Sequence, residues 1–557
     1  MPTSIYTVMW KNESAVILFI LLLLPASKQL RMSLMKLWHR LASLTSHGLS
    51  PIHKRVLGWM YLFNGPELIQ HGFDNSDGQA YEIHAPDCRY VFVSSEKHVK
   101  ELDQAPDTVL SLQAASKQML QPIYTMHGFN WFDRRGTEGV GFVRALRTLL
   151  TNNLPQILPE LGTIIKATFT RSHAEHKVIG GARHSPIYPT VVKLVVMSNA
   201  LSFFGKDLAM NEKFLASALN YVEETLMCAE IIKLLPKRLA RLVGPLIASR
   251  LTCQKVLYNT LVPIATERCK DRDRARLGQT VPKHADCIQW IMETAPRQKP
   301  WTPERIVHEL IAIRFGSVHA LSTTITFAIQ DLCLRPEYLA PLRSENERLY
   351  SQFEQTGQGL PLLDSFIKES ARLTPVESMS VRRAATQPFK FSDGTELAVG
   401  DWACTPVRAI MQSERYYPQA LEFNGFRFAK PEDMHFDSSH TFAFKQPKPS
   451  KLVDVSHTWH VWGIGRMACP GRYYATAAMK VIMSQIIMNY DMKLPNADAS
   501  RWFTWRSTML PRKETMVIFT PRTNTGNQCL SVTNLPFPRS QEGPDNWSSL
   551  PNCFEVK

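Results

Sequence analysis

Cysteine is scarce in this 557-residue sequence, and its pattern argues against one common class of site. The ten cysteines, from Cys88 to Cys553, are scattered without a CxxC pair or a regular spacing. This pattern disfavours a zinc site and favours a reducing compartment over a disulfide-stabilised secreted fold. Zinc-finger and basic-zipper patterns are also lacking, so the net charge of +15 does not indicate a nucleic-acid partner.

Acidic residues are missing from a long stretch near the amino terminus, where none occurs between Glu13 and Glu67. Residues 15–26 (AVILFILLLLPA) are uncharged and aliphatic, and basic residues follow them. The run is short for a bilayer span, but with the weaker apolar residues before it, it favours a signal anchor over a cleaved signal peptide. The basic residues place the remaining chain on the cytoplasmic side. We predict an anchor at residues 1–27 and a basic membrane-proximal segment at residues 28–54.

The sequence also lacks a linker or an internal repeat that would divide the chain. Helical periodicity recurs from about residue 98 to about residue 490, which predicts one large catalytic body over residues 55–522. From residue 523 the sequence is rich in Asn, Ser, Pro and Gly and has no amphipathic period. Residues 523–557 are therefore predicted to form a polar, mobile tail.

Residues 302–335 predict one long helix. Thr302 can cap it, Pro303 suits its first turn and Pro336 ends it. Such a helix would be roughly 50 Å long and, being apolar on most faces, buried.

The middle of this helix is polar, because it holds His319, Ser322, Thr323 and Thr324 beside Gly316 and Ser317. The hydroxyl groups could bond back to carbonyls one turn earlier, with His319 a satisfied core residue. Alternatively, small and polar side chains could open a buried cavity. The helix by itself leaves both interpretations open.

A shorter helix over residues 361–373 places Glu369 and Arg372 on one face, three residues apart. Taken alone, they predict an ordinary surface ion pair that contributes little. Short alternating runs after it predict β-hairpins, and Arg427 follows in an aromatic-rich loop.

Residues 462–475 (WGIGRMACPGRYYA) place Cys469 on a loop rich in glycine and arginine. A nucleophilic cysteine would need a base, and no Cys/His protease or transferase signature is present. A thiolate can also be the axial ligand of haem iron. Gly465 and Gly471 would let the backbone fold closely round the sulfur, and Arg466 and Arg472 would favour its anion.

This loop resembles the haem-binding signature FxxGxRxCxG of the cytochrome P-450 family of haem-thiolate monooxygenases. Trp462, Gly465, Cys469 and Gly471 occupy its Phe, Gly, Cys and Gly positions. The resemblance implies that Cys469 is the axial ligand of the haem iron and that the glycines and Trp462 surround its sulfur. Trp462 replaces the usual Phe.

Two arginines are expected near the haem propionates. Met467 stands where the family has Arg or His, which leaves Arg466 as a possible substitute. A further arginine is expected on a helix near residue 145: the literal WxxxR match is Trp131 to Arg135, but alignment with the fungal pattern favours Arg147.

Two more family motifs occur in the expected order. Glu369 and Arg372 match the ExxR motif, and Arg427 resembles the arginine that completes a buried structural triad. In the long helix, the fungal pattern A-S-I-H-T-T-S places His319 at the acidic-or-His position and Ala320 at the usual threonine. The resemblance therefore implies a proton relay in which His319, Ser322 and Thr323 are the candidate groups.

The resemblance implies a mainly α-helical fold with small β-sheets, the cytochrome P-450 fold, as a single large haem-binding domain behind the N-terminal membrane anchor. It implies haem b (iron protoporphyrin IX), O2 and electrons from NADPH through an NADPH-cytochrome reductase. It further implies an endoplasmic reticulum membrane address with the catalytic domain in the cytoplasm. Similarity of residues 65–155 to fungal enzymes implies a lipophilic terpenoid or meroterpenoid substrate.

Three alternatives stay open. A haem-thiolate enzyme could rearrange or dehydrate its substrate without net monooxygenation, and Ala320 at the usual threonine position is compatible with this. A haem sensor or carrier would bind haem without turnover. In the plainest interpretation, Cys469 is only a buried core thiol.

Overall fold

Helices make up most of the residues that the structure describes. The computed structural model describes residues 50–129, 131, 141–296, 300–434 and 448–522. Its α-helices, in chain order, are α1 (Ser50–Ser76), α2 (Glu96–Gln104), α3 (Leu112–Leu120), α4 (Pro122–Thr125), α5 (Gly141–Arg144), α6 (Leu154–Glu175), α7 (Ile187–Phe204), α8 (Lys206–Ala209), α9 (Glu212–Leu234), α10 (Lys237–Arg250), α11 (Cys253–Arg276), α12 (Cys287–Glu293), α13 (Pro303–Gly316), α14 (His319–Leu334), α15 (Leu339–Thr356), α16 (Pro361–Leu373), α17 (Val407–Met411) and α18 (Arg472–Asn489). Ala145–Leu150 forms a π-helical turn, and Pro336–Tyr338, Pro431–Asp433 and Gly465–Met467 form 3-10 turns.

The strands are short and form small sheets. They are β1 (Tyr81–His84), β2 (Arg89–Phe92), β3 (Leu110–Ser111), β4 (Val178–Ile179), β5 (Ala182–Pro186), β6 (Ser380–Ala385), β7 (Phe389–Lys390), β8 (Glu396–Leu397), β9 (Trp402–Thr405), β10 (Tyr490–Lys493), β11 (Trp502–Trp505), β12 (Thr508–Pro511) and β13 (Met516–Pro521). One sheet has the order β1-β2-β9-β6-β3, with β2 and β9 parallel, and a second has the order β10-β13-β5-β4. β11 pairs with β12, and β7 with β8. The predicted hairpins after α16 correspond to β6–β9.

The main hydrophobic core lies among α6, α7, α14, α16 and α18, which pack on one another. α7 illustrates why these segments are interior helices, because it is apolar on most faces and nearly every residue from Leu194 to Phe204 is buried. α14 is part of this core, and the loop that carries Cys469 leads directly into α18, another of its helices.

The predicted single helix over residues 302–335 is wrong in its middle. Its ends are as predicted, with Thr302 accepting a bond from the Arg305 N–H at 3.3 Å and Pro303 in the first turn. Between α13 and α14, however, Ser317 and Val318 leave the helix. The cause is competition for the backbone: the side-chain amide of Asn199, on α7, donates to the Ser317 carbonyl oxygen at 3.1 Å, and the Ser317 hydroxyl donates to the Arg314 carbonyl at 3.1 Å.

Several predicted segments lie outside the described residues: the anchor at residues 1–27, the tail at residues 523–557 and all but the last five residues of the basic segment at residues 28–54. Among the described helices, α7 (Ile187–Phe204) and the interrupted pair α13–α14 (Pro303–Leu334) are long and apolar enough to cross a membrane. Their apolar windows are 78% and 61% buried inside the protein, as expected of core helices.

Candidate active site

The cysteine loop, residues 462–471, is held by its own backbone. The Cys469 N–H donates to the Trp462 carbonyl oxygen at 2.7 Å, which closes the loop. Gly463 and Gly465 have φ values of +77° and +56°, in the left-handed region that favours glycine. A side chain at Gly465 would also collide with the carboxylate of Asp103. At Gly471 an added Cβ would meet only the Leu146 side chain, at an ordinary 3.7 Å.

The loop opposes the electrostatic cost of a buried sulfur anion. Cys469 is half-buried, and desolvation raises the pKa of its thiol. The backbone N–H groups of Gly471 and Arg472 and the guanidinium charges of Arg472 and Arg147 act in the opposite direction. These groups therefore favour a thiolate, the form in which cysteine binds a metal. The indole N–H of Trp462 donates to the Leu452 carbonyl oxygen at 2.6 Å, which fixes the ring beside the loop.

The two arginines predicted to bind the haem propionates, Arg147 and Arg466, lie close together. Exposed Arg147, in the π-helical turn, donates to the Arg466 carbonyl oxygen at 3.5 Å. The guanidinium of Arg466 points elsewhere and donates to the Ala105 carbonyl oxygen at 2.8 Å and to Asp107 at 3.2 Å. In the alternative pair, Trp131 donates to the Gln113 carbonyl oxygen, and Arg135 lies outside the described residues.

Two buried polar residues near the cysteine loop, Arg383 and His460, were not predicted from the sequence. Arg383, on β6, is buried and forms no bond through Nη2 with a described residue, although Asp103, Asp107 and Arg466 all interact with its charge. Burial lowers its pKa to about 10, so it stays cationic at neutral pH. His460 is also buried, and its Nε2 has no partner among the described residues. The sequence feature that could have indicated Arg383 is the pair of consecutive arginines in the short strand SVRRAA.

Glu369, Arg372 and Arg427 form a buried cluster. Arg372 Nε and Nη2 donate to the Glu369 carboxylate at 2.7 and 2.9 Å, and Arg427 Nε donates to it at 3.0 Å. All three side chains are at most 1% exposed. The Asn424 N–H adds a bond to the same carboxylate at 2.9 Å.

The two arginines tie this cluster to the loop that precedes the cysteine. Arg372 donates to the carbonyl oxygens of Met411 and Ala420, and Arg427 donates to those of Pro418 and Glu422. The cluster therefore fixes the backbone of residues 411–422, which begin at the end of α17 and precede the cysteine loop in the chain.

α13 and α14 present a small-residue face around their interruption. Gly316 and Ala320 are exposed, and Thr324, one turn further on, is half-buried. The Thr324 hydroxyl donates to the Ala320 carbonyl oxygen at 3.0 Å. Thr324 belongs to the polar stretch noted in the sequence but was not among the predicted relay groups, although the four-residue spacing of Gly316, Ala320 and Thr324 puts all three on one face.

The predicted relay residues lie on other faces of α14. Ser322 and Thr323 are fully buried, and neither hydroxyl completes a hydrogen bond with a described residue. His319 is half-buried, and its Nδ1 lies 3.1 Å from the Tyr188 hydroxyl on α7. Burial lowers the pKa of His319, so the ring is neutral at neutral pH.

These residues fit a haem with a thiolate ligand. Amide N–H groups and arginine charges offset part of the cost of a Cys469 anion, Arg147 is exposed beside the loop, and Arg383 has a buried N–H donor without a partner among the described residues. Donors of this kind suit the two carboxylates of haem. Among the described residues there is no group of three or more His, Cys, Asp or Glu side chains that could hold a bare metal ion.

Comparison with known proteins agrees with this geometry. The family model described as "Cytochrome P450" matches residues 73–519. The chain is 26% identical over 491 residues to cytochrome P450 monooxygenase olcJ of Penicillium canescens, covering 85% of this chain and 87% of that protein. It is 28% identical over 473 residues to cytochrome P450 monooxygenase 151 of Postia placenta, covering 82% and 88%.

A solved structure supports the fold. Retinoic acid-bound cyanobacterial CYP120A1 superposes with a TM-score of 0.58 at 16% identity, over 83% of this chain and 97% of that chain. The mainly helical architecture with small sheets, predicted from the resemblance, is confirmed.

Proposed function

The chain belongs to the cytochrome P450 family, an oxygen-incorporating group of oxidoreductases, and on this premise we propose that it oxidises a terpenoid or meroterpenoid of fungal secondary metabolism. Family membership implies haem, O2 and electrons from a reductase. The proposal adds haem b, NADPH and a membrane-bound NADPH-cytochrome reductase. The substrate class rests on the resemblance of residues 65–155 to fungal enzymes of these pathways.

The environment of Cys469 is the observation that carries the proposal. The cysteine loop combines left-handed glycines, amide donors and arginine charges around one half-buried sulfur. A core thiol needs none of these features, whereas an iron-binding thiolate needs an anion-stabilising loop. When bound, the haem supplies activation of O2 and insertion of oxygen into a substrate C–H bond.

The residues of this chain hold the haem and keep its ligand anionic. Cys469 would bind the iron, with Trp462 and the glycines at positions 465 and 471 enclosing the sulfur. Arg147 and Arg383 would bind the propionates. Arg466 would act through the loop backbone, since its own side chain is paired with Asp107 at 3.2 Å.

Proton delivery would run along α14. His319, Ser322 and Thr323 remain our proposed relay groups, and the contact of His319 with Tyr188 extends that chain toward α7. Thr324 is the accessible hydroxyl on the Ala320 face and would be the last member. A hydroxyl has one donor proton and two lone pairs, so Thr324 would rotate away from the Ala320 carbonyl oxygen to give its proton while a water replaces it.

A surface helix supports the proposed membrane association. Leu239, Leu242 and Leu246 of α10 are 43%, 73% and 68% exposed and follow a three- and four-residue spacing, which forms a leucine stripe. Arg238 and Arg241, both exposed, flank the stripe. Apolar side chains on one face with arginines beside them suit the interface of a membrane with anionic lipids.

The test is the difference spectrum of the reduced protein with and without carbon monoxide, measured in membranes from expressing cells. We expect a Soret band at the long wavelength of thiolate-ligated haem, and its loss in Cys469→Ser. Cys88→Ser, at another half-buried cysteine, is the matched control and should keep the band. A variant at position 469 that retained the native band would remove Cys469 as the ligand.

A second candidate function is rearrangement or dehydration without net monooxygenation, because the exposed Ala320 offers no hydroxyl at the usual threonine position. The two functions differ in stoichiometry. Monooxygenation consumes one NADPH and one O2 per product, whereas rearrangement or dehydration consumes neither.

A further inference from the structure

One buried arginine has no counter-charge in the described structure. Arg314, on α13, is 1% exposed. Its Nη2 donates to the Ala218 carbonyl oxygen at 2.8 Å, but its Nε and Nη1 are buried and form no hydrogen bond with a described residue. The other large, fully buried arginines, Arg372 and Arg427, both share the Glu369 carboxylate. Arg314 differs from both, because no described carboxylate interacts with its charge.

No described carboxylate balances the charge of Arg314. None lies within the 4.0 Å distance of an ion pair with Arg314, and only Tyr474 and Tyr221 interact with its charge in the direction that a counter-ion would. Both phenols are neutral at pH 7, since burial raises their pKa values. The pKa of Arg314 is lowered by burial to about 10, which still leaves the guanidinium charged. A buried, uncompensated cation is strongly unfavourable.

Two further donors lie on the helix that Arg314 contacts. Ala218, Tyr221 and Thr225 follow a three- and four-residue spacing and so form one stripe of α9. The hydroxyls of Tyr221 and Thr225 interact with each other, but both are buried and neither completes a hydrogen bond with a described residue. The Tyr474 hydroxyl, in contrast, is already committed to Asn199 at 3.0 Å.

We propose that Arg314, Tyr221 and Thr225 form a buried site for one small monovalent anion of about the size of chloride. Guanidinium N–H groups and hydroxyls are the donors that such an anion accepts, and one negative charge balances one arginine. The guanidinium is buried, is bonded to the backbone of α9 and interacts with Tyr221 of α9 and Tyr474 of α18, which favours a small ion over an extended one.

The site also has a structural consequence, because the carbonyl oxygen of Arg314 accepts the Ser317 hydroxyl at the interruption between α13 and α14. The bound anion would stabilise the segment next to that interruption. The proposal does not depend on the proposed substrate or reductase.

Thermal unfolding of the haem-loaded full chain tests the site. The apparent melting temperature is measured in sodium chloride and in sodium gluconate of equal ionic strength, since gluconate is too large to enter. At chloride concentrations about a hundred times its Kd, we expect a rise of roughly 2–3 °C in the wild type. Arg314→Met should lose the chloride dependence, and Arg348→Met, which removes an exposed arginine, should keep it.

Bromide provides a measurement that needs no variant. Crystals of the wild-type protein grown in sodium bromide should show an anomalous peak beside the Arg314 guanidinium and the Tyr221 hydroxyl. Equal melting temperatures in the two salts, or a chloride dependence that survives Arg314→Met, would overturn the proposal. So would bromide maps that show only water at this position.

Discussion

Glu369 shows how strongly the contribution of an ion pair to stability depends on its burial. Its carboxylate accepts bonds from Arg372, Arg427 and the Asn424 N–H, in a site that water does not reach. Removing its charge leaves two guanidinium groups buried without compensation. Because a stranded buried charge costs about 3–5 kcal/mol, we expect Glu369→Gln to reduce stability by about that amount and to lower haem retention.

Denaturant unfolding with the haem absorbance as a second signal measures this effect. Glu267→Gln is the matched control, because Glu267 pairs with Lys270 across the same three-residue spacing, but on the surface. We expect no measurable change from the control. If Glu369→Gln unfolds at the same denaturant concentration as Glu267→Gln, the cluster does not support the haem site.

The same residues show which parts of a site can be predicted from sequence. The contact between Glu369 and Arg372 follows from helix periodicity, because residues three apart lie on one face. Its burial does not, and local reasoning alone predicted a surface pair. Arg427 lies 58 residues from Glu369, and only the family resemblance connected it. Arg383 and Arg314 had no motif, since an arginine becomes informative only when its neighbours from other elements are known.

Helix α16, which carries Glu369 and Arg372, depends on a cap supplied by another helix. Glu345, on α15, accepts the N–H groups of Leu362 and Leu363 at 2.6 and 2.9 Å. These donors lie in the first turn of α16 and have no partner within the helix. We expect Glu345→Ala to destabilise the protein by about 2 kcal/mol, and Glu345→Gln by less, because an amide oxygen can still accept.

The cap should also respond to pH. Desolvation raises the pKa of Glu345 from its ordinary 4.5 to about 7, so between these values the folded chain binds a proton that the unfolded chain has released. Its contribution to stability must therefore fall as pH rises from about 4.5 through about 7. Denaturant titrations of the wild type and Glu345→Gln across this range should show a smaller decline in the variant. An equal decline in both would contradict the assignment.

The positions of the hydroxyl groups on α14 predict which of them couples NADPH oxidation to product formation. Thr324 shares the accessible face with Ala320, whereas Ser322 and Thr323 are fully buried. If Thr324 is the last member of the relay, Thr324→Val should raise the hydrogen peroxide released per NADPH oxidised, and Thr324→Ser should restore the wild-type ratio. Ser322→Ala should have a smaller effect, and the opposite order would place the relay through the buried hydroxyls. The carbon monoxide spectrum of each variant checks that the haem site is intact.

The interrupted helix marks the limit of prediction from local patterns. Thr302, Pro303 and Pro336 are local signals, and they predicted the outer ends of α13 and α14 correctly. The break at residues 317–318 depends on Asn199, which is 118 residues away and bonds to the Ser317 carbonyl oxygen. A local pattern cannot indicate such a contact.

At the scale of the whole molecule, an excess of positive charge accompanies an exposed apolar surface on α10. The formal net charge is +15, and the leucine stripe of α10 lies beside exposed arginines. α10 is held through Gly244, where any side chain would collide with the Tyr124 ring on α4, so its leucines face outward. This fixed orientation suits a helix that lies on a membrane while the catalytic body stays in the aqueous phase.

Vesicle binding by a chain lacking residues 1–27 isolates this surface from the predicted anchor. We expect binding to phosphatidylserine-containing vesicles, weaker binding to neutral vesicles, and at least about a tenfold loss in Leu242→Gln/Leu246→Gln, because each leucine buried in lipid contributes about 1 kcal/mol or more. Leu421→Gln is the matched control, since Leu421 is 73% exposed but lies outside the leucine stripe. Equal losses in the control and the double variant would show that general surface hydrophobicity is responsible. No loss in either would exclude the leucine stripe and leave the basic segment at residues 28–54 as the contact in the truncated chain.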